Sequence, residues 1–119
     1  MPALTVLGVN PDTPREVLVN LRNDLIATLE TEMGIKSGMT RVFFPVDMLD
    51  QPEEGQDDLI WVFLYTGMFT SSPTIDVAHV KRTTAAIAAK VKEAFGGKYG
   101  VEVFLRACDS DTKTLLHAD

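Results

Sequence analysis

The chain has 119 residues, 45% of them apolar, enough for one hydrophobic core and too few for a second domain of ordinary size. Its formal charge of −6 excludes a protein whose affinity comes from neutralising nucleic-acid phosphates, and its one tight basic pair, Lys81 and Arg82, falls on a helical pattern whose solvated face accounts for it. A lone cysteine, Cys108, excludes an intrachain disulfide and a cysteine zinc cage. It fits a reducing cytoplasm, and no segment reads as a secretory signal or nears the ~20 apolar residues that span a bilayer.

Residues 3–9 are apolar, rich in strand formers and followed by the turn signal Asn10-Pro11-Asp12, which predicts a buried first strand starting almost at the terminus. Thr13 as N-cap, Pro14 at the first helical position and Glu16 three residues after the cap predict a helix over 14–33. Leu18, Leu21, Leu25 and Leu29 form its apolar stripe, with Val17 and Met33 in support, and Gly34 supplies a left-handed stop. A second strand is expected over 40–46, with Pro45 marking an edge or the end of pairing. The stretch from Asp47 to Asp58 is acidic around Pro52 and Gly55; its spacing is not that of an EF-hand, so it reads as a solvated loop and no metal is expected.

The run 59–69 is the most apolar, too short to cross a bilayer as a helix and best read as a central strand. Ser71-Ser72-Pro73-Thr74 opens a second helix with the stripe Val77, Val80, Ile87, Val91 and Phe95, closed by Gly96-Gly97. A fourth strand spans 101–108; Val101, Val103, Leu105 and Ala107 face the helices, and Glu102, Phe104, Arg106 and Cys108 face away. Strand, helix, strand therefore occurs twice. The expectation is an α/β (α+β) fold, a duplicated β-α-β with each crossover pairing its strands in parallel, giving a four-stranded mixed sheet with two helices on one face. Strands apolar on both sides require something to cover the other face, and a neighbouring subunit is the natural candidate. A ferredoxin-like regulatory or binding domain uses the same element order, but its first strand lies between the third and fourth.

Met1-Pro2 running directly into a strand, the β-α-β duplication, Pro45-Val46-Asp47 and Leu64-Tyr65-Thr66-Gly67 together resemble the tautomerase superfamily, nearer in length to macrophage migration inhibitory factor than to the short 4-oxalocrotonate tautomerases. The resemblance spans nearly the whole chain, 1–119 as one domain, and implies a homotrimer with sites at subunit borders. Removal of Met1 would leave Pro2 as a ring-locked secondary amine. An α-amino group titrates at about 7.7–8.0, and burial or nearby cations favour its neutral form, so a general base that moves a proton between the carbon and oxygen of an enol or 2-oxo acid is attainable. A retained Met1 would make the nitrogen an amide.

The resemblance places further substrate-binding groups. Arg106 and Phe104 match positions where a neighbouring subunit contributes side chains, and a guanidinium suits a small-molecule carboxylate; the alternative for Arg106 is a pair with Glu102 on the same strand face. Arg41 is a possible second cation, and Lys36 sits one residue from where the inhibitory-factor branch carries its lysine; both also read as solvated cations. Tyr65 and Thr66 fall beside the proline, where a Tyr hydroxyl can donate to a developing enolate or simply sit at the core rim. Gly67-Met68-Phe69-Thr70 stands where dehalogenating and decarboxylating relatives carry an Arg-containing motif, which disfavours those reactions. His79 and His117 lack ligand-spaced partners and read as structural or solvated, and no phosphate loop or dinucleotide fingerprint occurs, so no cofactor is expected. A trimeric scaffold or small-molecule binder without catalysis remains the alternative on the same fold.

Overall fold

The computed structural model describes residues 2–46, 58–67 and 76–107. Its elements are β1 (Ala3–Leu7), α1 (Arg15–Met33), β2 (Arg41–Phe43), β3 (Leu59–Thr66), α2 (Val77–Ala94) and β4 (Gly100–Ala107), with a short 3-10 turn at Ser37–Met39. The acidic stretch 47–57, the start of the second helix at 71–74 and the tail from Cys108 lie outside the described residues.

The four strands form one mixed sheet in the order β2-β1-β3-β4. β1 and β2 are parallel, as are β3 and β4, and the two units join through the antiparallel β1–β3 pair. With β2 and β3 beside β1, and β4 beyond β3, the ferredoxin-like arrangement is excluded. Period-two alternation selects the core: Leu4 and Val6 of β1 and Ile60, Val62 and Leu64 of β3 are fully buried. They meet Leu21, Leu25 and Leu29 of α1 and Ile87 and Val91 of α2 in one cluster, so both helices cover the same face.

Four local expectations are corrected. Thr13 does not cap α1: its hydroxyl donates to the Asn10 carbonyl at 2.6 Å, Asp12 N–H bonds to the Asn10 side chain at 2.8 Å, and Pro14 becomes the N-cap. The self-contained turn takes the hydroxyl before the helix can use it. β2 is limited to 41–43 because β1 offers partners only at Ala3, Leu4 and Thr5 and Pro45 has no N–H to continue the ladder. β3 ends at Thr66, where Gly67 bends the chain. Val77 is exposed rather than part of the α2 stripe, whose buried residues are Thr83, Ile87 and Val91.

Other local signals act as the chain chemistry dictates. Gly34 takes φ 67° and ends α1, its N–H reaching the Glu30 carbonyl at 3.0 Å while Ile35 N–H reaches Leu29 at 3.4 Å. Asp76 caps α2 by accepting from His79 N–H at 2.8 Å. The His79 ring bonds through Nε2 to the Glu32 carbonyl, tying the start of α2 to the last turn of α1, a structural use of that histidine.

Candidate active site

One end of the sheet gathers the start of β1, the start of β2 and the ends of β3 and β4, a consequence of the strand directions alone. Pro2 lies at this end and is buried. Its carbonyl accepts the Arg41 N–H at 3.2 Å, which locks the first residue of the β1 segment against β2.

Register then aligns four of the sequence-predicted positions or their neighbours. Ala3 lies between Arg41 on one side and Tyr65 on the other, and Tyr65 is opposite Arg106, so Arg41, Ala3, Tyr65 and Arg106 form one row across the sheet. All have the parity of the open face; Arg41, Tyr65 and Arg106 are exposed. Strands spaced about 4.8 Å apart put the Cα atoms of the two arginines about 14 Å apart, a span that two extended guanidinium side chains can flank. The next row is Phe43, Thr5, Phe63 and Phe104, in which Phe104 stacks on Phe63 with ring centroids 5.1 Å apart and planes 15° apart. Phe63 also lies 6.4 Å from the Tyr65 ring, giving a short aromatic ladder.

Glu102 pairs with Trp61, two rows away from Arg106. Four residues of strand separate the two by about 13 Å, and among the described residues no ion pair joins them, so the Glu102 alternative for Arg106 is not realised. Lys36 is exposed at the entrance to the 3-10 turn that leads into β2, and its carbonyl accepts Met39 N–H at 2.9 Å. The connection that carries it arrives at the Pro2 end of the sheet. Thr66 and Tyr65 part company: Tyr65 is on the open face, Thr66 is buried on the helix side.

The structure sharpens one sequence expectation and adds one feature that the sequence did not show. The open face is strongly aromatic, with Trp61 47% and Phe43 51% exposed beside Phe63, Tyr65 and Phe104. The signal lay in β3 itself, where Trp61, Phe63 and Tyr65 alternate with Ile60, Val62 and Leu64. The second is Thr40, which is 6% exposed and whose Oγ1 is buried without a hydrogen-bond partner among the described residues. An unsatisfied buried hydroxyl costs about 1–3 kcal/mol, and no sequence pattern marks it. Among the described residues no cluster of His, Cys, Asp and Glu could hold a metal ion, and no helix is long and apolar enough to cross a membrane.

No family model matches the sequence, and no curated protein matches it. Solved structures do match in shape. The F6 fused 4-OT wild type asymmetric trimer superposes with a TM-score of 0.75 at 11% identity, covering 95% of this chain and 91% of that one. The W0 fused 4-OT wild type symmetric trimer gives 0.76 at 9% identity, covering 96% and 93%. A macrophage migration inhibitory factor-like protein from Entamoeba histolytica gives 0.71 at 7% identity, covering 98% and 96%. The chain therefore has the tautomerase-type fold, a likeness of architecture spanning nearly its full length.

Proposed function

We propose that the protein is a keto–enol tautomerase acting on a small enol or 2-oxo acid, with Pro2 as its general base. The observation that carries the reading is the position of Pro2: buried at the end of the sheet, its carbonyl held by Arg41, beside the row that contains Arg41, Tyr65 and Arg106. The shape shared with fused 4-OT trimers supports it.

In this mechanism the lone pair of Pro2 takes the hydroxyl proton of an enol, leaving an enolate and a prolinium. The prolinium then returns that proton to the enolate carbon, giving the ketone and the free amine. One proton has moved from oxygen to carbon and no cofactor is required. Arg106 or Arg41 holds the substrate carboxylate through paired N–H donors, Tyr65 donates toward the enolate oxygen, and Phe104 lies against the substrate's apolar part. Lys36 adds positive potential and Thr66 shapes the buried side of the site. Nearby cations disfavour the protonated amine and keep it a base near neutral pH.

The same reading includes a homotrimer in a reducing cytoplasm, the open aromatic face being covered by neighbouring copies. It requires that Met1 be removed. The test is intact mass followed by ketonisation of phenylenolpyruvate. A Met1-free protein that ketonises this enol well above the buffer rate supports the reading; a Met1-free protein no faster than buffer overturns it. The exposure of Trp61 and Phe43 favours a second reading in that case, a trimeric scaffold without chemistry.

A further inference from the structure

The Pro2 carbonyl accepts the N–H of the peptide that joins Thr40 to Arg41, and the parallel register that sets Ala3 opposite Arg41 sets Pro2 beside Thr40 when carried back one residue. Thr40 is extended, with φ −96° and ψ 133°, so its side chain alternates with that of Arg41: Arg41 is on the exposed face, Thr40 on the buried one. Pro2 is buried too. Beside the first residue of the β1 segment there is thus a threonine only 6% exposed, whose buried hydroxyl oxygen has no partner among the described residues.

A buried hydroxyl has a donor and acceptor lone pairs to satisfy. A free prolyl amine has an N–H in its neutral form and two N–H groups when protonated. We propose that Thr40 is a positioning residue whose Oγ1 accepts an N–H of the Met1-free Pro2 amine, fixing the nitrogen so that its lone pair points away from Thr40 toward the substrate. This rests on the tautomerase reading for its purpose, but not for its measurement.

The hydroxyl accepts from both protonation states and more strongly from the cation, so its removal lowers the pKa of Pro2. The charged and titratable groups described at this end of the molecule include Arg41 on β2, Tyr65 on β3, Arg106 on β4 and Lys36 in the connection to β2, and on the helix side Glu30 and Glu32 in the last turns of α1 with Asp76 and His79 at the start of α2. None is altered by a change at Thr40, so a difference between parent and variant isolates the hydroxyl.

The experiment titrates the Pro2 nitrogen by NMR in ¹⁵N-proline-labelled, Met1-free protein. Thr40→Val keeps the shape and removes the hydroxyl; Thr40→Ser keeps the hydroxyl. The expected result is a Pro2 pKa lower by about half a unit to one unit in T40V and restored in T40S. With phenylenolpyruvate, kcat falls about tenfold in T40V with KM nearly unchanged, and the limb of the pH–rate profile that follows the amine moves to lower pH. Thr40→Ala gives the same comparison should T40V not fold. An unchanged Pro2 pKa with a raised Tm in T40V means a merely unsatisfied core hydroxyl and overturns the assignment, even if the parent is an active tautomerase. A Pro2 pKa lower in T40V than in a parent that itself ketonises nothing upholds Thr40 and overturns the tautomerase. Retained Met1 in the parent protein leaves no prolyl N–H and overturns the assignment as well.

Discussion

At Pro2 the ring matters as much as the amine. Pro2→Ala retains an α-amino group but loses the ring that fixes its lone pair, so general-base help worth typically 10²- to 10⁴-fold is expected to be largely lost in kcat/KM for phenylenolpyruvate, measured on Met1-free protein. Parent-like activity in P2A would remove Pro2 from the chemistry. Arg41 and Arg106 sit at opposite ends of one row, their Cα atoms about 14 Å apart. Groups at that distance that grip separate parts of a substrate lose binding independently, so Arg41→Ala and Arg106→Ala are each expected to raise KM more than they lower kcat, with their free-energy effects adding in the double variant to within about 0.5 kcal/mol. A double variant no worse than the poorer single would mean that both hold one carboxylate. The candidate residues were legible in the sequence as types, through the resemblance and the guanidinium's match to a carboxylate. Their alignment was not, because register is a long-range property: nothing in the residues around Arg41 states that it lies opposite Ala3. Thr40 was invisible for the same reason, since a threonine before an arginine is ordinary until both neighbouring strands are placed.

At the scale of elements, the glycines separate local from tertiary constraint. Gly34 has φ 67° and open space where a Cβ would stand, so Gly34→Ala meets only the left-handed backbone penalty of about 1–2 kcal/mol. Gly8, just after β1, has φ 91°, and a Cβ there would sit 2.8 Å from the Leu59 carbonyl oxygen. Both backbone strain and a clash with an adjacent strand then apply, and neither atom belongs to a flexible side chain. Gly8→Ala is therefore expected to cost clearly more than Gly34→Ala, about 3 kcal/mol or more, as a fall in the urea midpoint. Equal losses would mean that the backbone contact between Gly8 and Leu59 relaxes. The stop at Gly34 was readable from sequence because capping needs only residues already in contact along the chain. The start of α1 was misread at Thr13 because two local hydrogen-bond schemes compete there, and the Asn10 turn wins.

For the whole molecule, the sheet has one face sealed by α1 and α2 and one face carrying Trp61, Phe43, Phe63, Tyr65 and Phe104. A face this apolar is expected to be buried between copies, so light scattering at micromolar concentration is predicted to report a trimer, and Trp61→Glu, which places a charge in that contact, to release monomers. A monomeric parent would contradict the assembly and the border location of the site. What the sequence determined unaided were the properties set within a turn or a strand: the leucine stripe of α1, the alternation of β3, the stop at Gly34 and the repeated β-α-β order that narrowed the fold to two arrangements. Tertiary structure alone decided between them, because placing β1 beside β2 and β3 rather than beside β4 depends on which edges satisfy their hydrogen bonds across the whole sheet. That one choice also brings Pro2, Arg41, Tyr65 and Arg106 to the same end, and leaves the Thr40 hydroxyl buried on the helix-facing side beside Pro2, without a hydrogen-bond partner among the described residues.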